Sequence, residues 1–253
     1  MDKRIKLILC DLDDTLMTSK KEVPPKTRDV LWECNRRGIG IGYVTIRSPG
    51  KTGIYTKGLP SDCLANYNGS VIRVKDEIIG NYSIPHRAGL QLIESLQKDY
   101  PGISIGAYFE PYYYRNEQIG VIGSEEASGF TLADMPVYDF QRIRIVPGRY
   151  HLDIEKYISF EMAYTVTVHG SIIITSRQAN KEHATIKIME HLGLKPSEVL
   201  SFGDDYVDIG MLKASGTGVA MANGVQAVKE IADYITLSNE EEGIADYLTR
   251  FVL

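Results

Sequence analysis

Asp11, Asp13 and Asp14 put three carboxylates within four residues, directly followed by Thr15. Like charges this close repel one another unless a proton or a cation stands between them. A hard dication such as Mg2+ is the natural partner for oxygen ligands of this kind. A solvated turn or the first turn of a helix also accommodates acids, so the cluster alone does not decide. A second acidic loop lies far along the chain in Ser201-Phe202-Gly203-Asp204-Asp205, with Asp208 four residues after Asp204. Between the two stand a hydroxyl, Thr45, and an ammonium, Lys181, which in this order fit beside acids better than either would alone. The residue types are those of a cation-binding acidic site with one positive side chain.

For these residues to meet, regular elements must carry them to one place. Ile5-Lys6-Leu7-Ile8-Leu9-Cys10 is a nearly continuous apolar run that ends in acids, the pattern of a strand buried on both faces of a parallel sheet. Pro24-Pro25, then Val30, Leu31 and Cys34 at helical spacing with Gly38 as the stop, predicts a helix leading into a second strand, Ile39 to Thr45. The C-terminal part repeats the rhythm, with helices near 182–192, 207–213 and 225–232 and strands near 199–202, 218–221 and 234–237. Alternation of this kind predicts an α/β fold built on a doubly wound, Rossmann-like parallel sheet. If the strands that end at Asp11 and Asp204 are neighbours, both acidic loops share one carboxyl edge.

Residues 83–177 read differently. One helix, Ala88 to Tyr100, precedes short alternating strands such as Ile103 to Phe109, and nine of the chain's 16 tyrosines fall in this stretch. The shift predicts an inserted α+β domain at 83–177 within a discontinuous core domain of 1–82 and 178–253.

The 253 residues are 43% hydrophobic, with 28 bases against 33 acids for a net charge of -5, which excludes a disordered chain. No basic field draws nucleic acid or anionic lipid, so neither is an expected partner. Cys10, Cys34 and Cys63 are an odd number without a CxxC pair, as expected of buried, reduced thiols. The apolar stretch Ile5 to Cys10 is shorter than a signal-peptide core of about 7–15 residues, and no run approaches the roughly 18 needed to cross a bilayer. A cytoplasmic soluble protein is the expectation. With no coiled-coil seam, monomer and homodimer are both open.

Asp11-x-Asp13-x-Thr15, Thr45, Lys181 and Gly203-Asp204-x-x-x-Asp208 together resemble the four motifs of the haloacid dehalogenase (HAD) superfamily of phosphohydrolases. The insertion between Thr45 and Lys181 resembles the large α/β cap of its Cof-like branch. The resemblance implies a Mg2+-dependent phosphatase for small phosphorylated metabolites, such as sugar phosphates, nucleotides or phosphorylated cofactors, acting through an aspartyl-phosphate. By position it implies Asp11 as nucleophile, Asp13 as general acid/base and Lys181 as charge stabiliser. Thr45 and backbone N–H groups around Leu12 and Ile46 would bind the phosphate, with Lys181. The metal would sit on the Asp11 carboxylate, the Asp13 backbone carbonyl and Asp204, with Asp208 reaching it directly or through water. Three residues depart from the family pattern: Ile46 replaces the glycine of threonine-glycine-arginine, Val207 the asparagine before the last aspartate, and Glu182 the glycine after the lysine.

Other readings use the same residues. A mutase or phosphotransferase with the same phospho-aspartate differs only in the acceptor, and Ile46, Glu182 and Val207 motivate a catalytically weak metabolite-binding regulator. A phosphoacceptor signalling domain would need an aspartate at the end of the third strand, whereas Asp62 begins its apolar segment. Gly38-Ile39-Gly40-Ile41-Gly42 enters a strand instead of following one, against a dinucleotide site. His86, His151, His169, His183 and His191 form no i, i+4 pair that would suggest zinc. Pro111-Tyr112-Tyr113-Tyr114-Arg115 fits a substrate-facing loop or a strand equally. Arg142, Arg144 and Arg149 suit a solvated strand face better than a second anion site, and Asn68-Gly69 reads as a turn.

Overall fold

The computed structural model describes residues 5–109, 112–115, 118–121, 127–128, 137–167 and 170–253; Pro111 and His169 lie outside them. The chain forms two compact units, one running through Asn81 and resuming at Asn180–Leu253, the other Tyr82–Ala179.

The first unit opens with β1 (Leu7–Cys10), α1 (Pro25–Arg36), β2 (Gly40–Val44), α2 (Pro49–Tyr55), β3 (Cys63–Asn66), β4 (Val71–Val74) and β5 (Glu77–Asn81). The second unit holds α3 (His86–Asp99), β6 (Ser104–Phe109), β7 (Tyr112–Arg115), β8 (Gln118–Val121), β9 (Ala127–Ser128), β10 (Arg142–Val146), β11 (Met162–Val166) and β12 (Ile172–Ser176). The chain then returns to the first unit with α4 (Lys181–Leu192), β13 (Val199–Gly203), α5 (Ile209–Ala214), β14 (Thr217–Ala220), α6 (Gln226–Ile231), β15 (Tyr234–Ile235) and α7 (Gly243–Phe251).

In the first unit the described strands order as β15-β14-β13-β1-β2-β3-β4-β5. Pairing is parallel from β15 to β3, and β4 and β5 extend the sheet antiparallel. This is the doubly wound α/β sheet. Cys10 lies opposite both Phe202 and Tyr43, so β1, β2 and β13 end level with one another. Connections leave β1 in both directions, which makes its carboxyl end the switch point where such sheets hold ligands.

Both faces of the central strands are covered, which explains the near-continuous apolar runs. Ile8, Cys10, Ile41, Tyr43, Leu200 and Phe202 pack with Leu31 and Cys34 of α1 and with Ile244, Tyr247 and Leu248 of α7. On the opposite face Ser201 donates to the Met211 carbonyl of α5 at 3.5 Å. The glycine at 42 is set by packing: a Cβ there would lie 2.2 Å from the Cys63 sulfur and 2.8 Å from Leu9. That is a strand reason for a glycine-rich run, not a nucleotide one. Cys10, Cys34 and Cys63 are buried free thiols, and burial pushes Cys34 up to about 11 and Cys63 to about 12. Among the described residues no helix is long and apolar enough to cross a membrane.

The second unit is an antiparallel sheet ordered β11-β12-β10-β6-β7-β8-β9. Alternation sends Ile105, Ala107, Phe109, Ile143 and Ile145 into a core with Leu92, Ile93 and Leu96 of α3. The segment read as loop or strand, Tyr112 to Arg115, is strand β7. Arg142 stacks on the Tyr108 ring at 4.5 Å, and Arg144 donates to the Ser171 hydroxyl at 2.9 Å.

Candidate active site

Asp11 follows β1, Thr45 follows β2 and Asp204 follows β13, so three neighbouring strands deliver them to one edge. The fourth contribution comes from α4. Asn180 caps it by accepting the His183 N–H at 2.8 Å, which makes Lys181 its first residue. Gly69, at φ +97°, lets the turn after β3 press against this helix start, since a Cβ there would lie 2.7 Å from the Asn180 carbonyl oxygen.

Lys181 is 1% exposed, and its ammonium donates to Asp11 Oδ1 and to Asp208 Oδ1, each at 2.6 Å. Asp208 uses its other oxygen to accept the N–H groups of Asp204 and Asp205, both at 3.0 Å. That bond replaces the first turn of the helix expected from 207 with a tight turn over Tyr206–Asp208. Asp204 accepts the Thr15 hydroxyl at 2.5 Å. Asp11, Asp204 and Asp208 each offer an oxygen within 4.8 Å of the others.

The Lys181 ammonium bonds two of these three carboxylates, and the charge balance follows. Burial, reinforced by Asp208 and Asp204, outweighs Lys181 and lifts Asp11 to about 8. Burial with Asp208 and Asp14 outweighs the Thr15 bond and Lys181, and lifts Asp204 to about 7. Burial draws the Lys181 ammonium down, but Asp11 and Asp208 hold it above its ordinary value. The pocket is short of positive charge and lined with hard oxygens, so this donor set fits a dication such as Mg2+.

Asp13 stands apart from the trio. Arg47 grips it with two bonds, Nε to Oδ2 at 2.7 Å and Nη2 to Oδ1 at 2.6 Å, and Lys21 donates to Oδ1 at 3.0 Å. Burial pushes its carboxyl up, yet these bonds outweigh burial and hold it below the usual range. Arg47 is itself steadied 4.3 Å over the Tyr55 ring. Thr45 is buried, and its hydroxyl oxygen accepts the Arg47 N–H at 3.2 Å. Ile46, between them, is 44% exposed. Sequence reasoning picked out neither Lys21 nor the grip of Arg47. Arg47 was visible only as the last residue of Thr45-Ile46-Arg47, and Lys21 carried no signal.

The sequence profile of the haloacid dehalogenase-like hydrolases matches residues 8–248. The chain belongs to this family. It falls in the Cof-like branch, and by family it is a hydrolase of phosphoric monoesters. It is 29% identical over 259 residues to the 5-amino-6-(5-phospho-D-ribitylamino)uracil phosphatase YcsE of Bacillus subtilis, covering 100% of this chain and 98% of that protein. The phosphoglycolate phosphatase of Methanopyrus kandleri is 26% identical, with 97% of each chain covered. A haloacid dehalogenase-like hydrolase from Bacteroides thetaiotaomicron shares the fold with a TM-score of 0.82 at 23% identity, over 98% of this chain and 99% of that one.

Gly203 offers a test of how closely this HAD-like site is fitted. A Cβ at 203 would stand 2.4 Å from the Cβ of Asp208 and 2.7 Å from its carboxyl carbon. Gly203→Ala must displace the residue that positions both Lys181 and Asp204. It is expected to lower the hydrolytic rate at least about tenfold and stability by about 1–3 kcal/mol. Thermal unfolding and initial rates check this, and wild-type values for both would mean Asp208 gives way freely.

Proposed function

We propose that the protein is a Mg2+-dependent phosphatase of small phosphorylated metabolites that works through an aspartyl-phosphate on Asp11. The observation that carries the reading is the cluster of Asp11, Asp204 and Asp208, whose oxygens lie within 4.8 Å of one another, with the Lys181 ammonium bonded to Asp11 and Asp208, at the switch point of the sheet. Mg2+ would be held by the Asp11 carboxylate, the Asp13 backbone carbonyl and Asp204, with Asp208 behind them. When bound, the ion supplies positive charge that offsets repulsion between the carboxylate nucleophile and the phosphate.

Asp11 attacks phosphorus, the bond from phosphorus to the ester oxygen breaks, and the leaving alkoxide takes a proton from Asp13. Water then attacks the phospho-aspartate and gives its proton back to Asp13, which frees inorganic phosphate and restores Asp11. Lys181, the Thr45 hydroxyl and the N–H groups near Leu12 and Ile46 neutralise the nonbridging oxygens. The grip of Arg47 and Lys21 keeps Asp13 a carboxylate, the form that accepts the proton of the attacking water. Protonating the alkoxide requires that grip to loosen, and the incoming phosphate competes for the same cations. The inserted unit, with 83–177 as its expected limits, is assigned the role of cap and substrate selector.

The test is phosphate release from a panel of sugar phosphates, nucleotides and phosphorylated cofactors, with Mg2+ and with chelator. Turnover that needs Mg2+ supports the reading, and the ranking narrows the substrate. Folded, Mg2+-saturated protein that releases phosphate from none of them would count against a phosphatase and favour phosphotransfer to another acceptor.

A further inference from the structure

Asp14 stands in the left-handed backbone region, φ 58° and ψ 9°, directly after Asp13 at φ -74° and ψ 125°. A residue with a Cβ is strained there by roughly 1–2 kcal/mol, and relaxing the turn would swing the Asp13 carboxylate. Contacts from a distant loop hold it. Asn223 Nδ2 donates to the Asp14 carbonyl at 2.7 Å, and Asn223 Oδ1 accepts the Asn239 backbone N–H at 3.1 Å, which fixes the way the amide faces. Asn239 is 7% exposed and donates its own amide to the Met17 carbonyl at 2.9 Å. Ser19 N–H completes the set by donating to Glu240 at 2.6 Å.

The loop that carries Asn223 also reaches the other acidic loop. Val225 N–H donates to the Asp204 carbonyl at 2.8 Å, and a Cβ on Gly224 would stand 2.9 Å from that same oxygen. One short loop therefore grips the main chain of Asp204 and of the residue after Asp13. Asn223 is exposed and fills no core, so packing does not explain its two bonds.

We propose that Asn223, oriented by Asn239, is a positioning residue that clamps the strained Asp13–Asp14 turn in the geometry needed for proton transfer. This rests on the acid/base reading of Asp13. The clamp acts on the backbone, whereas Arg47 and Lys21 act on the carboxylate, so the two devices are separable.

Asn223→Ala, Asp14→Gly, their double variant and Asp13→Asn are compared on an alkyl phosphate and on p-nitrophenyl phosphate with saturating Mg2+. kcat/KM covers steps through formation of the phospho-aspartate, where an alkoxide needs a proton and a nitrophenolate does not. Asn223→Ala is expected to lower kcat/KM about tenfold or more on the alkyl ester and less than about threefold on the nitrophenyl ester. Asp14→Gly alone also removes the 3.5 Å ion pair of the Asp14 carboxylate with Lys21, so it is the reference against which the double variant is read. In the double variant glycine adopts the left-handed turn without strain, and at least about half of the lost activity returns. Equal losses on the two esters, no loss, or no rescue by glycine overturns the clamp. Asp13→Asn separates the two failures. If it shows no leaving-group dependence, the acid/base reading falls and the clamp with it; if it does and Asn223→Ala does not, the clamp alone falls.

Discussion

Asp11→Asn is expected to abolish turnover, by about 10⁴-fold or more, in a protein that stays folded. The amide is nearly isosteric with the carboxylate, and its oxygen still accepts from Lys181, but it cannot form a phosphorylated intermediate. The fold has reason to tolerate the change. Burial and the neighbouring acids lift Asp11 to about 8 and Asp204 to about 7, so the metal-free folded chain holds protons that the unfolded chain releases above about pH 4. More protons bound to the folded state means that stability falls as pH rises from about 4 towards 8. Replacing Asp11 removes the larger part of that fall. In chelator the variant should match the wild type in thermal unfolding near pH 4 and exceed it near pH 8. Wild-type phosphate release by the variant would sink Asp11 as the nucleophile.

Much of this site was legible because buried parallel strands leave a strong trace. Leu7 to Cys10 and Val199 to Gly203 are fully buried, and each run stops at an aspartate. A strand that is apolar on both faces and then turns acidic announces its carboxyl edge, and two such strands side by side announce a site. Lys181 was legible by its place at a helix start. The limits of that legibility are equally physical. Arg47 reaches Asp13 only because α2 and Tyr55 fold the loop after β2 back on itself, and nothing local in Thr45-Ile46-Arg47 records that approach. Lys21 arrives through a turn with its backbone at φ 60°, a conformation that lysine does not signal. The side chain that donates to the Asp14 carbonyl lies 209 residues away in Asn223, a contact that exists only once the sheet has closed. Asp208, expected among the metal-site acids, also bonds Lys181 and the N–H groups of the Asp204 loop, a further role that its spacing in the sequence does not record.

Lys181→Ala is expected to damage both activity and fold, and the two losses should respond differently to pH and to Mg2+. A lysine at the first position of a helix opposes the helix dipole, and this one is also stripped of water, so its place depends on Asp11 and Asp208. Removing one partner of a buried ionic set typically costs about 3–5 kcal/mol, because the remaining charges lose their compensation. Lys181 is the main influence holding Asp11 down, so in its absence the Asp11 carboxyl rises further and stays protonated to higher pH. A protonated carboxyl carries no charge to compensate. Up to about pH 7 both folded proteins keep that proton, so the loss of thermal stability relative to wild type should change little with pH; it should grow above about pH 8, where the wild type releases the proton and the variant still holds it. Saturating Mg2+, which binds the assembled carboxylates of the folded state, should recover part of it. The rate should not recover with it: the ammonium proposed to neutralise the transferring phosphoryl group is gone, and turnover stays about 10²–10³-fold down even where the variant is fully folded. A stability loss that is the same at pH 6 and pH 9 would mean that the lysine stem, rather than its charge, holds this corner of the core together.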